Sequence, residues 1–330
     1  MTKRIEYIDY LKGLSIIWVV WYHTTHPEFV DYSFRIPLFF FISGIFFRPY
    51  PIKKFFKKKI NTLVIPFIFF YLVYYIFYIT LWFFKYKNLQ DFDFTCILQL
   101  FNTFKGYENF IINPPLWFIC ALINLQILLY LSIKIFRKKL HITLFALIIT
   151  SLGVLYSFEI PTPFMFGRSL NYFIYYTMGY LIGSNISSLV CNFKNSSKSK
   201  LLLFTSLLIV VFCVILKQFI PQTEDDFIKL INYIEIFAII VSLMYLFSWI
   251  YKYKIFSPFK FFGVNSYIVL GMHEIFHTVN YILIRNIFGE VTITLGIIQT
   301  IITLIILWPT IIIFNKYIPY LVGKKPILTI

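Results

Sequence analysis

The chain has 330 residues, 59% hydrophobic and 13% charged, with a net charge of +16. Apolar runs of bilayer length recur from end to end, which excludes a water-soluble globular protein and predicts a polytopic helical membrane protein. The surplus of lysine and arginine falls in short segments at the ends of those runs, where positive-inside topology explains it without a nucleic-acid partner.

Ten candidate spans follow in chain order, near residues 8–25, 36–48, 61–84, 116–134, 142–158, 170–188, 201–219, 230–250, 264–284 and 293–315. The second is short for a span: either Arg35 snorkels to the surface or the segment is partly re-entrant. The expected fold class is all-α, a single membrane domain over residues 1–330 built as a bundle of about ten transmembrane helices. Placing the N-terminus inside gathers most of the 30 basic residues in cytoplasmic segments and leaves the run Glu224-Asp225-Asp226 outside. Both termini are accordingly expected in the cytoplasm.

The cluster Lys53, Lys54, Lys57, Lys58 and Lys59 is denser than orientation requires. Two readings stand, contact with anionic lipid or a site for a phosphorylated cytosolic ligand. The first span reads as retained rather than cleaved, because no small-residue site follows Leu14–Tyr22 before His23 and His26. Cys96, Cys120, Cys191 and Cys213 are scattered without metal-ligand spacing and read as packing residues. The outside loop over residues 85–115 ends in Asn113-Pro114-Pro115, where proline suits a helix entry, and it is long enough to shape an extracytoplasmic site.

Ionisable groups in hydrocarbon are costly and mark function, so the polar positions within the spans carry the argument. Lys12 and His23 are eleven residues apart, close to three helical turns, and so share a face about 16 Å apart along the axis. Asp9 lies one turn before Lys12 on the same side. The bland alternative makes Asp9 and Lys12 interfacial anchors. In the ninth span, His273-Glu274-Ile275-Phe276-His277 puts two imidazoles on one helix face with a carboxylate between them, the zinc-protease spacing. Such a site needs a third protein ligand; after His277 only Glu290 follows, and Glu235 in the preceding span is the geometric alternative.

Arg4, Asp9, Lys12 and His23, followed by Phe39-Phe40-Phe41-Ile42-Ser43-Gly44, resemble the opening of the membrane acyltransferase-3 family. The resemblance continues through Lys57-Lys58-Lys59 to Val64-Ile65-Pro66-Phe67, and then Pro115-Leu116-Trp117-Phe118, which is similar to the fourth-span motif of the sugar O-acetylase branch, including fucose 4-O-acetylases and capsule-modifying enzymes. Gly179-Tyr180-Leu181-Ile182-Gly183 and Gly263-Val264-Asn265-Ser266-Tyr267 with His273 complete an ordered set covering nearly the whole chain. Lys12 departs from the more frequent arginine, keeping the charge without the bidentate fork.

The resemblance implies transfer of an acyl group, usually acetyl, from cytosolic acetyl-CoA or another acyl-CoA to a hydroxyl of a surface polysaccharide or lipid-linked oligosaccharide, in a bacterial plasma membrane. His23 is then the general base or a transient acyl carrier. Lys12, with Asp9 beside it, and Lys57, Lys58 and Lys59 face the donor phosphates, while Trp117, Arg168 and Glu274 serve the acceptor. His273 orients donor or acceptor, with Glu274 or Glu235 as its partner. For Trp117 and Arg168 the plain alternatives are an aromatic-belt residue and an interfacial anchor. No metal and no nucleic acid is expected. A polysaccharide or lipid-linked sugar transporter or flippase, and an intramembrane zinc protease, are the competing readings.

Overall fold

A helix satisfies every backbone group within its own segment, which is the requirement that lipid imposes on a single span. The structure, a computed structural model, describes residues 5–25, 34–98, 112–156, 162–221, 225–289 and 292–329, and among these there is no strand. Lys3, Arg4, His26, Glu224 and Glu290 lie outside the described residues.

Each of the ten predicted spans coincides with a helix: α1 (Glu6–Thr25), α2 (Arg35–Ile45), α4 (Ile65–Tyr86), α5 (Trp117–Ile135), α6 (Lys139–Tyr156), α8 (Phe173–Cys191), α9 (Ser197–Phe219), α10 (Asp225–Ile250), α12 (Ser266–Phe288) and α13 (Ile293–Tyr317). Short helices α3 (Ile52–Lys59), α7 (Phe166–Leu170) and α11 (Ser257–Val264) complete the order. Among the described residues, six segments are long and apolar enough to cross a membrane: 52–86, 114–135, 197–219, 227–250, 266–288 and 293–317. This is a multi-pass, all-helical membrane protein. Helices α1 and α8 have spanning lengths of 20 and 19 residues but are diluted by polar side chains, Glu6, Asp9 and Lys12 in one and Ser184, Asn185, Ser187 and Ser188 in the other.

The clustered lysines before the third span are helical. Helix α3 runs through a π-turn at Ile60–Val64 straight into α4. Pro66 sits at the start of α4, and a proline ring would crowd the carbonyl one turn earlier, so the widened turn relieves that clash.

The described structure divides into two compact units. The first comprises α1 up to Val19, α2 and residues 175–264. Two of its helix crossings are backbone to backbone. A Cβ added at Gly44 would stand 2.1 Å from the Tyr176 carbonyl oxygen, and one at Gly179 2.0 Å from that of Phe41. At the second crossing, α1 with α11, a Cβ at Gly13 would meet the Phe259 oxygen at 1.8 Å and one at Gly263 the Asp9 oxygen at 1.8 Å. Small residues let helices approach where lipid removes the hydrophobic drive between them. The glycines of three motifs are thus contact points of the bundle. Helices α9 and α10 pair through Ser206 with Ser242 and through Lys217, which donates to Glu235 Oε2 at 2.5 Å and to Asn232 at 3.2 Å.

The second unit comprises residues 20–27 at the end of α1, residues 48–174 and residues 265–330. Asn113, buried and in the left-handed region at φ 54°, donates its side-chain amide to the carbonyls of Gly271 (2.9 Å) and Phe70 (3.4 Å). That staples the entry of α5 to α4 and α12. The Phe70 ring fills the space above Gly271 and stacks on Tyr267 at 5.8 Å. Asn61, in the π-turn, binds the C-terminal segment through Leu328 O (2.8 Å) and the amides of Ile327 (2.9 Å) and Leu328 (2.8 Å). All four cysteines are free.

Candidate functional site

Helix periodicity puts residues 273, 274 and 277 on neighbouring positions of α12. His273 is fully buried, and its Nδ1 lies 2.9 Å from the Val269 carbonyl oxygen and 3.1 Å from that of Leu270. Carbonyls only accept, so Nδ1 carries the proton and the lone pair is on Nε2. That Nε2 is buried without a hydrogen-bond partner.

Glu274 is the centre of the group. One carboxylate oxygen, Oε2, stands 3.7 Å from His23 Nδ1, and Oε1 stands 4.0 Å from His277 Nδ1. The imidazoles of His23 and His273 have centroids 5.2 Å apart. One potential ligand atom from each of His23, His273 and Glu274 lies within 4.8 Å of the others. All three belong to the second unit, although His23 sits at the far end of the chain from the other two.

Thr24 holds this end of α1. Its hydroxyl donates to the Trp21 carbonyl at 2.6 Å and lies 3.4 Å from the Thr300 hydroxyl on α13. Helix α13 is tied to α12 by Gln299, which donates to the His277 carbonyl, and by Asn280, which donates to Thr303, both at 3.1 Å. Interhelical polar bonds of this kind average about 0.6 kcal/mol each, so the seam fixes register more than it supplies stability. Sequence reasoning missed Thr24, Asn113, Gln299, Thr300 and Thr303. The available signal was polar residues at 299, 300 and 303 in an otherwise apolar span.

The arrangement suits proton transfer. A carboxylate facing Nδ1 of an imidazole favours the tautomer that leaves Nε2 as the base, which is the relation of carboxylate to histidine in a catalytic triad. The 3.7 Å separation exceeds hydrogen-bond length, a looseness common where the substrate complex tightens the pair. Glu274, expected to serve the acceptor, is therefore placed against the expected base. The zinc-protease reading would make His273 and His277 the ligands with Glu274 as base. Among the described residues the metal-competent group is instead His23, His273 and Glu274, with His277 outside it. Glu235 is engaged by Lys217 in the first unit.

The other predicted residues make separate contacts. Lys12 lies over the Phe46 ring at 5.1 Å, and Asp9 is buried beside the crossing of α1 with α11, both in the first unit. On α3, Lys57 donates to the Thr329 carbonyl at 3.3 Å, Lys58 donates to the Tyr50 hydroxyl at 3.2 Å, and Lys59 lies over the Phe55 ring at 5.4 Å. The Arg168 guanidinium sits 4.1 Å above the Trp117 ring, so one face of the indole is already covered.

A family model described as an acyltransferase domain, of the acyltransferase-3 type, matches residues 5–314. No curated protein and no solved structure matches the chain.

Proposed function

Because the chain belongs to the acyltransferase-3 family and is a membrane acyltransferase, we propose that it moves an acyl group, acetyl foremost, from cytosolic acyl-CoA to a hydroxyl of a cell-surface or lipid-linked glycan. The observation that carries the catalytic assignment is the Glu274 carboxylate 3.7 Å from His23 Nδ1, beside the buried His273.

In this reading His23 Nε2 takes the proton of the sugar hydroxyl as its oxygen attacks the thioester carbonyl. The new C–O bond forms, the C–S bond breaks, and the proton passes from His23 to the departing thiolate, leaving an ester and free coenzyme A. A positioned base of this kind contributes about 10²–10⁴-fold. Glu274 orients His23 and offsets the imidazolium charge, and the lone pair on His273 Nε2 accepts from a hydroxyl of donor or acceptor. Lys12 and Lys57, Lys58 and Lys59 meet the donor phosphates as point charges, and Arg168 stacked on Trp117 presents its remaining edge to the acceptor. No step is routed through a metal.

Charge distribution supports both termini in the cytoplasm, which an even number of spans such as ten requires, and the family resemblance supports a bacterial plasma membrane. The test is mass spectrometry of surface polysaccharide and lipid-linked oligosaccharide from cells carrying wild type, His23→Ala or a deletion, with protein level checked. Loss of an acyl-sized mass in both altered strains is expected. Acylation that persists in the deletion strain would overturn the reading.

A further inference from the structure

We propose that His23, His273 and Glu274 form a binding site for a borderline divalent cation, best matched by Zn2+, and that occupancy switches the acyltransferase off. Two imidazoles and one carboxylate are the donor set of His2Glu zinc sites, with bonds of about 2.0–2.2 Å and mutual ligand separations of about 3.4 Å. The three ligand atoms lie within 4.8 Å of one another. Rotamer adjustment of His23 and Glu274, both only partly enclosed, brings them to that spacing.

His273 is the second, independent observation. A metal-bound imidazole characteristically donates its other nitrogen to a carbonyl, which fixes the tautomer and aims the lone pair at the metal. His273 Nδ1 does this toward Val269 and Leu270, and its Nε2 is buried without a partner. Glu274 Oε2 is likewise buried without a hydrogen bond. Side-chain exposures of 24% for His23 and 16% for Glu274 leave a side open for entry and for a fourth, solvent ligand. Imidazole donors select Zn2+ over Mg2+ and Ca2+, which want all-oxygen shells.

Blocking follows from shared atoms. A cation bound through His23 Nδ1 leaves the imidazole proton on Nε2, so no lone pair remains there for the sugar hydroxyl, and it draws Glu274 away from its orienting role. This half rests on the reading of His23 as base, whereas binding does not.

The experiment uses the full chain in lipid nanodiscs without donor or acceptor. Dialysis against buffered free Zn2+ should load one equivalent per chain, and Co2+ should show the visible bands of a tetrahedral site. His273→Gln and Glu274→Gln should each weaken binding by at least about tenfold, and His141→Ala should not. Wild-type protein that takes up no more Zn2+ than a His23→Gln, His273→Gln, Glu274→Gln triple variant would overturn the site, as would octahedral Co2+ spectra. The wild-type spectrum needs no variant to fold. With acyl-CoA and acceptor added, Zn2+ at loading concentrations should abolish turnover and a chelator restore it. An unchanged rate at full loading, or a rate that collapses on chelation, would overturn the blocking role while the binding result stands.

Discussion

Two enclosed carboxylates in this protein have opposite surroundings. Glu235, 2% exposed, accepts from Lys217 at 2.5 Å, and the same lysine donates to Asn232. Glu274, 16% exposed, faces imidazoles at 3.7 and 4.0 Å among the described residues. A lysine in direct contact pins two helices, whereas an imidazole can take up and release a proton without the helices parting. The first arrangement holds α9 to α10, and the second is the one on which the proposed proton transfer rests.

The comparison can be broken at several points. The largest effect should come from His23→Ala, which is expected to lower acyl transfer by about 10²–10⁴-fold with the protein still eluting as a folded species; activity near wild type would move the base elsewhere. Next is Lys217→Met, which strands the Glu235 charge and should cost about 3 kcal/mol, read as a lower unfolding temperature. Lys217→Met with Glu235→Leu should recover most of that loss, and a double variant no better than the single one would show that the pair is not a closed unit. Glu274→Gln should also slow turnover, by no more than removal of the base itself, since it costs orientation, tautomer and charge compensation only; a wild-type rate would detach Glu274 from the base. Glu235→Gln, measured per folded molecule, should leave turnover alone, and a loss there would erase the distinction between the two carboxylates. Among the variants expected to change catalysis, Lys58→Ala should have the mildest effect: it removes one point charge worth about 1 kcal/mol and should raise the donor KM about fivefold without changing kcat.

Much of this was legible in the chain. All ten apolar runs are helices, because their length and the penalty on unsatisfied backbone in lipid leave no alternative. His273, Glu274 and His277 could be placed on one surface of α12 from periodicity alone. The motif glycines were legible as family marks but not as contacts: that Gly44 meets Tyr176 and Gly263 meets Asp9 depends on which helices cross. That the basic cluster is helical was not legible, because consecutive lysines mark the end of an apolar span, yet lysine is a good helix former and α3 continues into α4.

What the sequence determined by itself is the membrane class, the helices and the few polar groups able to do chemistry, since burial cost and helical period act locally. Which carboxylate faces His23 was beyond it. Glu235 and Glu274 are equally unusual within apolar spans, and only the tertiary structure gives one to Lys217 and the other to His23. His23 meets Glu274 where the end of α1 packs near α13, with Thr24 and Thr300 in contact from opposite ends of the chain. Shape and crossing geometry decide such contacts, and no local pattern of residues encodes them.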